Sequence, residues 1–153
     1  MADFDPDATV HEVKEHSLEK LNEQWEQSRL LLPHLKIYQI HSATLDSGVL
    51  ENTEVLNRLY ELKKEHNIEI GLSVSGDNQN EIISKASSVE INGELLFDSF
   101  QITFNVFDQS LLVISDVLEK AGKKIIIKEA LANGRVFSNH KFPNYESTYS
   151  SLE

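Results

Sequence analysis

Four short runs, LKIYQIHSA, IEIGLSVSG, FQITFN and KKIIIKEA, constrain this chain more than any other feature. Each is an apolar stretch of strand length that finishes in polar side chains. Each is preceded by a longer stretch with helical spacing. The first helix is expected over residues 9–32, where Val10, Val13, Ser17, Leu21, Trp25, Ser28 and Leu32 recur at helical intervals before Pro33 stops it. A strand over 35–41 follows. Asn52 or Thr53 can cap a second helix through Val55, Leu56, Leu59 and Leu62, and Asn67 suits the left-handed position after it. A strand over 68–73 leads to a third helix, capped by Asp77 or Asn78 and carrying Ile82, Ile83 and Ala86. EINGELLFD reads as a connection with a turn at Asn92-Gly93. A strand over 99–105 and a helix over 110–121 come next, with Leu111, Leu112, Ile114, Val117, Leu118 and Ala121 inward and Gly122 as cap. The last strand spans 124–128.

The order αβαβαβαβ predicts a parallel sheet with right-handed crossovers. Parallel strands are normally covered on both faces, which is how apolar runs of this kind are read. In such architectures working residues gather at the carboxyl ends of the strands. His41, Ser73, Gln101 with Asn105, and Lys128 all stand at or near such ends. They are expected to line one rim.

Bulk properties narrow the function. A chain of 153 residues supports one domain with a real core, burying roughly 68–70% of its unfolded surface. The net charge of −11 argues against nucleic acid and against anionic membranes. There is no cysteine, hence no disulfide framework and no thiolate ligand or nucleophile. No run approaches the roughly 18 apolar residues of a membrane span, and the first residues lack a signal-type apolar region. A cytoplasmic location, or an organelle lumen, fits these properties. Residues 137–153 are polar and aperiodic and are expected to form a loose tail.

Local motifs add little. His11 and His16 in HEVKEH are five residues apart, about 140° around a helix, so they do not share a zinc-binding face. DFDPD begins like a calcium loop, but Ala8 and Lys14 occupy the positions that need Gly and Glu. No metal is expected. SVSGDNQ is a small-residue turn before a helix, neither a dinucleotide fingerprint nor a P-loop. Taken singly, His41 reads as readily as a hydrogen-bonded structural histidine, and Lys128 as a solvated or paired one.

In combination the residues say more. YQIHSATLDSGVLEN, IGLSVSG, LFDSFQITFN and IIIKEALANGR, in this order and spacing, resemble the middle of an aldo/keto reductase, over about residues 6–136. The resemblance implies a partial (β/α)8 TIM barrel over residues 1–136, NADP(H) as cofactor, sometimes NADH, and oxidoreductase chemistry on a small carbonyl substrate. It makes His41 the histidine that orients the substrate carbonyl. It puts Ser73 and Gln101 on the nicotinamide carboxamide, and Lys128 where an aromatic residue usually stacks on the ring. Val74, where many members have Asn, and the non-aromatic Lys128 are departures.

A complete barrel needs about 250 residues. The four strands correspond to the fourth to seventh, so the family's catalytic Asp, Tyr and Lys fall outside the match, as does the loop that grips the ribose phosphate. Tyr38 is no substitute for the missing proton donor, since strand alternation sends it and His41 to opposite faces. The expectation is a fragment of the parent fold, with pairing of two copies as one way to complete the ring. Its alternative is a non-catalytic binding or assembly module derived from that fold. A further alternative is a lyase or aldolase using Lys128 as a Schiff-base amine.

Overall fold

The computed structural model describes residues 15–137. Helix α1 (Leu18–Ser28) opens on Ser17, whose hydroxyl accepts from the Lys20 N–H at 3.2 Å. The helix is therefore shorter than its apolar spacing predicted. Ser17, expected on the inward stripe, instead satisfies an orphan amide at the helix start, and the chain tightens to a 3₁₀ turn at Arg29–Leu31 before Pro33. Residues 9–14 and the tail beyond 137 lie outside the described residues.

Strand β1 (Ile37–Ile40) precedes α2 (Thr53–His66), which Asn52 caps by accepting the Val55 N–H at 3.3 Å. Asn67 ends α2 at φ 51° and ψ 46°. The Asn side chain can bond locally, which makes this left-handed position tolerable. Strand β2 (Glu69–Ser73) and α3 (Gln79–Ser87) follow. The expected turn at Asn92-Gly93 closes a two-stranded antiparallel hairpin of β3 (Glu90–Ile91) and β4 (Glu94–Leu95). Then come β5 (Ser99–Thr103), a 3₁₀ turn at Ser110–Val113, α4 (Ser115–Lys120) and β6 (Lys124–Lys128).

The main sheet has the order β1-β2-β5-β6, and all three pairings are parallel. Each new strand joins on the same side of the last. With right-handed crossovers, such an order carries every helix to one face. The core agrees. Ile40, Ile70, Leu72, Phe100 and Ile102, all on one face by alternation, are buried against Leu56, Leu59 and Leu62 of α2, Ile82 and Ile83 of α3, and Leu118 of α4.

The opposite face differs from expectation. It carries Gln39, Glu69, Gly71, Ser73, Ser99, Gln101, Thr103, Lys124 and Lys128, with Ile37 and Ile126 as apolar side chains among them. The sheet is apolar on its helix side and mainly polar on this one. Two of the runs read as apolar are in fact alternating: Ile70-Gly71-Leu72-Ser73, and Phe100-Gln101-Ile102-Thr103.

The fourth helix also departs from expectation. Ile114, at φ −117°, breaks it into two pieces. Leu112 and Val117, expected inward, are exposed, as are Val113 and Ile127. Leu111 and Leu118 alone of that stripe are fully buried. Below the sheet, the Lys63 ammonium donates to Asp98 Oδ1 at 2.8 Å and to the Leu96 carbonyl at 2.9 Å, while Asp98 Oδ2 accepts the Ile70 N–H at 3.0 Å. This ties α2 to the entry of β5. Among the described residues no helix is long and apolar enough to cross a membrane.

Candidate functional site

Because the strands are parallel, their carboxyl ends share one side of the sheet. Ser73 closes β2 and is in register with Gln101 on β5, so both side chains leave the same face from adjoining strands. Lys128 closes β6, in register with Thr103. Its ammonium reaches back across β5 and donates to Ser73 Oγ at 3.2 Å. Gln101 Oε1 accepts from Gln39 Nε2 of β1 at 2.8 Å. Three of the four residues singled out from sequence, Ser73, Gln101 and Lys128, are thus brought together.

His41 stands one residue past β1, at the same end but on the outer strand. Its Nε2 lies 3.4 Å from Ser42 Oγ, and its carbonyl accepts from His16 Nε2 at 3.2 Å. It is exposed, and it lines a cavity of about 170 Å³ with His16, Gln39, Tyr38 and apolar residues of α1 and α2.

These contacts set the hydrogen-bonding character of the rim. A hydroxyl has one donor and two acceptor sites. With Lys128 donating to the Ser73 oxygen, the Ser73 proton is directed at a further acceptor. Gln101 has its carbonyl engaged by Gln39, and its NH₂ presents donors. The rim therefore holds hydrogen-bond donors at Ser73 and Gln101.

The backbone is fixed around it. Asn105, expected as part of the rim, works on the loop instead. Its Oδ1 accepts the Phe107 and Asp108 N–H groups at 2.8 and 3.1 Å, and its Nδ2 donates to the Glu129 carbonyl at 3.1 Å. Ser42 and Glu129, just past β1 and β6, both adopt positive φ, at 51° and 55°. Such strain persists only where surroundings enforce it, and it clusters at working ends of folds.

Two residues were missed in the sequence. Gln39 was overlooked because its strand was read as an apolar run, although its alternation with Tyr38 and Ile40 marks it. Gln79 was not singled out within SVSGDNQ. It is fully buried: its Nε2 donates to Ser110 Oγ at 2.7 Å and to the Thr103 carbonyl at 3.1 Å, and its Oε1 accepts the Thr103 N–H at 3.1 Å. It locks α3 to the end of β5, a role that no local sequence signal announces.

Of the two tyrosines among the described residues, Tyr38 lines the cavity beside His41 and Tyr60 stands on α2. Tyr38 packs edge-on against Trp25, with centroids 5.3 Å apart, on the helix side of the sheet. Burial raises its pKa above the ordinary phenol value, opposed by the Ser28 hydroxyl. Tyr60, on α2, donates to Glu94 at 3.3 Å. Comparison with known proteins returned no matching family model, no matching curated protein and no matching solved structure.

Proposed function

We propose that the chain forms the nicotinamide- and carbonyl-facing wall of an aldo/keto reductase-type oxidoreductase, binding NADP(H). The observation that carries this reading is the Ser73–Gln101–Lys128 cluster: a hydroxyl proton and a carboxamide NH₂ in register on adjoining parallel strands, beside an ammonium. Donors so spaced suit the carbonyl of a nicotinamide carboxamide. The sequential strand order, with helices on one face, favours part of a (β/α)8 barrel over a doubly wound sheet.

The fit is partial. Lys128 offers no aromatic face for the nicotinamide ring, and its charge disfavours the cationic, oxidised form. When bound, the cofactor supplies a hydride. The chain's own residues bind its amide end through Ser73 and Gln101, and His41 orients the substrate carbonyl from the outer strand. A general acid must lie within hydrogen-bond reach of that carbonyl oxygen. Tyr38 lines the same cavity as His41 with its ring held against Trp25, and Tyr60 bonds Glu94 from α2, so the reading assigns the proton to neither. This favours, as the second reading, a module that binds without turnover.

Titration of the purified chain with NADPH, followed by nicotinamide fluorescence, tests the proposal. A saturable change that Ser73→Ala and Gln101→Ala both weaken supports it; no change at millimolar protein and cofactor rejects it. Steady reduction of a carbonyl, abolished in His41→Ala, would remove the non-catalytic reading.

A further inference from the structure

We propose that Gln39 is a positioning residue. It holds the Gln101 carboxamide by its oxygen, leaves the NH₂ end to the ligand, and so makes the rim selective for a group that accepts hydrogen bonds over one that donates them. The accepting atom named below is the carboxamide oxygen of the cofactor, which rests on the nicotinamide reading; the arrangement of the two glutamines is independent of it.

The two side chains are not on neighbouring strands. Gln39 is on β1, in register with Gly71 of β2, and Gln101 is on β5, in register with Ser73 of β2. Adjoining strands lie about 4.8 Å apart, so β1 and β5 are separated by about 10 Å. Gln39 Nε2 nevertheless donates to Gln101 Oε1 at 2.8 Å. The bond therefore passes over β2, and Gly71 is what leaves the way open. A Cβ at that position would stand 3.0 Å from Gln39 Cβ and 2.7 Å from Ser99 Oγ. Asparagine at position 39, one methylene shorter, would not make the span. Both glutamines are partly buried, where leaving such a bond unmade is costly, so the pair stays joined.

The direction of the bond sets the chemistry. A carboxamide has one accepting and one donating end. With Oε1 held by Gln39, Gln101 keeps its N–H donors, and among the described residues no acceptor meets them. Ser73, in register with it, has its oxygen engaged by the Lys128 ammonium at 3.2 Å and keeps its proton. Two donors on adjoining strands are thus left for one partner with two lone pairs. In the reverse arrangement Gln101 would set its oxygen beside the Ser73 hydroxyl. Those two groups could then satisfy each other, and the rim would lose both donors. Gln39 keeps them available.

Gln39→Glu tests this with little change of shape. A carboxylate only accepts, so Gln101 must turn its NH₂ to position 39 and its oxygen to the rim. Two readouts separate positioning from packing. The first is side-chain amide exchange in the isotope-labelled full chain without cofactor. In the parent the Gln39 NH₂ should exchange more slowly than that of Gln101, and in Gln39→Glu the Gln101 NH₂ should become the protected one. The second is binding of NADPH against its reduced acetylpyridine analogue, whose ketone accepts and cannot donate. The parent should bind the two within about threefold of each other. Gln39→Glu should weaken the analogue about tenfold or more relative to NADPH, whose carboxamide can turn its own NH₂ toward the Gln101 oxygen. Both dinucleotides carry the same phosphates, so the added charge cancels in their ratio.

A Gln101 NH₂ already protected in the parent overturns the proposal. So does an analogue that the parent binds far more weakly than NADPH, or a ratio that Gln39→Glu leaves unchanged. If the parent binds neither dinucleotide, the nicotinamide reading fails, and amide exchange alone decides the role of Gln39. If Gln39→Glu does not fold, exchange in the parent decides it, since that measurement needs no variant.

Discussion

Gly71 is the most informative single position for the polar face. It sits in the middle of β2, in register with Gln39 on one side and Ser99 on the other. Its backbone is not in the left-handed region, so alanine meets no torsional objection. The obstacle is space. A Cβ there would lie 2.7 Å from Ser99 Oγ, 3.0 Å from Gln39 Cβ and 3.2 Å from Ile37 Cγ2. The serine hydroxyl can rotate away; the other two atoms are close to the backbone and cannot. Alanine gains about 0.4–1 kcal/mol by restricting the unfolded chain. Overpacking costs about 1–3 kcal/mol. The net expectation for Gly71→Ala is a loss of about 1–2 kcal/mol. In urea this lowers the midpoint by about 0.5–1 M with the slope unchanged. Displacing Gln39 also loosens its bond to Gln101, so NADPH binding should weaken in parallel. Adding Ser99→Ala removes the nearest atom. Because that hydroxyl is buried without a partner, its loss costs little, and the double variant should recover part of the stability. A Gly71→Ala chain as stable as the parent, or more so, would mean that the strands flanking Gly71 leave room on this face, and the reasoning about its close packing would fall.

Four other outcomes are expected. Gln79→Ala strands the Thr103 N–H and carbonyl in a buried site and should cost about 2–4 kcal/mol by chemical denaturation; a loss below 0.5 would show water replacing the side chain. Trp25→Ala, which empties the contact with Tyr38 and His66, should cost about 3–5 kcal/mol. Tyr38 has its pKa raised by burial, so its contribution is fully present below the unfolded phenol value of 10.0 and is lost as pH rises through the higher folded value; tyrosinate absorbance should show Tyr38 ionising above the ordinary phenol range, or together with unfolding. NADPH should bind more tightly than NADP⁺, because the Lys128 ammonium disfavours a cationic ring, and Lys128→Met should narrow the difference; equal affinities in the parent chain would place that charge elsewhere.

How far the sequence carried the reading differs by element. Helix α2 and strand β6 are found where their patterns put them, because Asn52, Asn67 and the isoleucine run each act locally. The outward turn of Leu112 and Val117 was not legible. Helical spacing gives a stripe, and the break at Ile114 then rotates that stripe away from the core. At the rim, Ser73 and Lys128 were singled out as strand ends, but they are 55 residues apart and their contact depends on β5 lying between them.

By itself the sequence determined the alternation of helix and strand, the parallel direction of the sheet and the polar character of the strand ends, since propensity, caps and turn residues work over a few positions. Tertiary structure decided which strands are neighbours, which face the helices cover, and hence that the second face is mainly polar among the described residues. Those outcomes come from packing between residues far apart in the chain, where each strand's place is set by what the others leave uncovered.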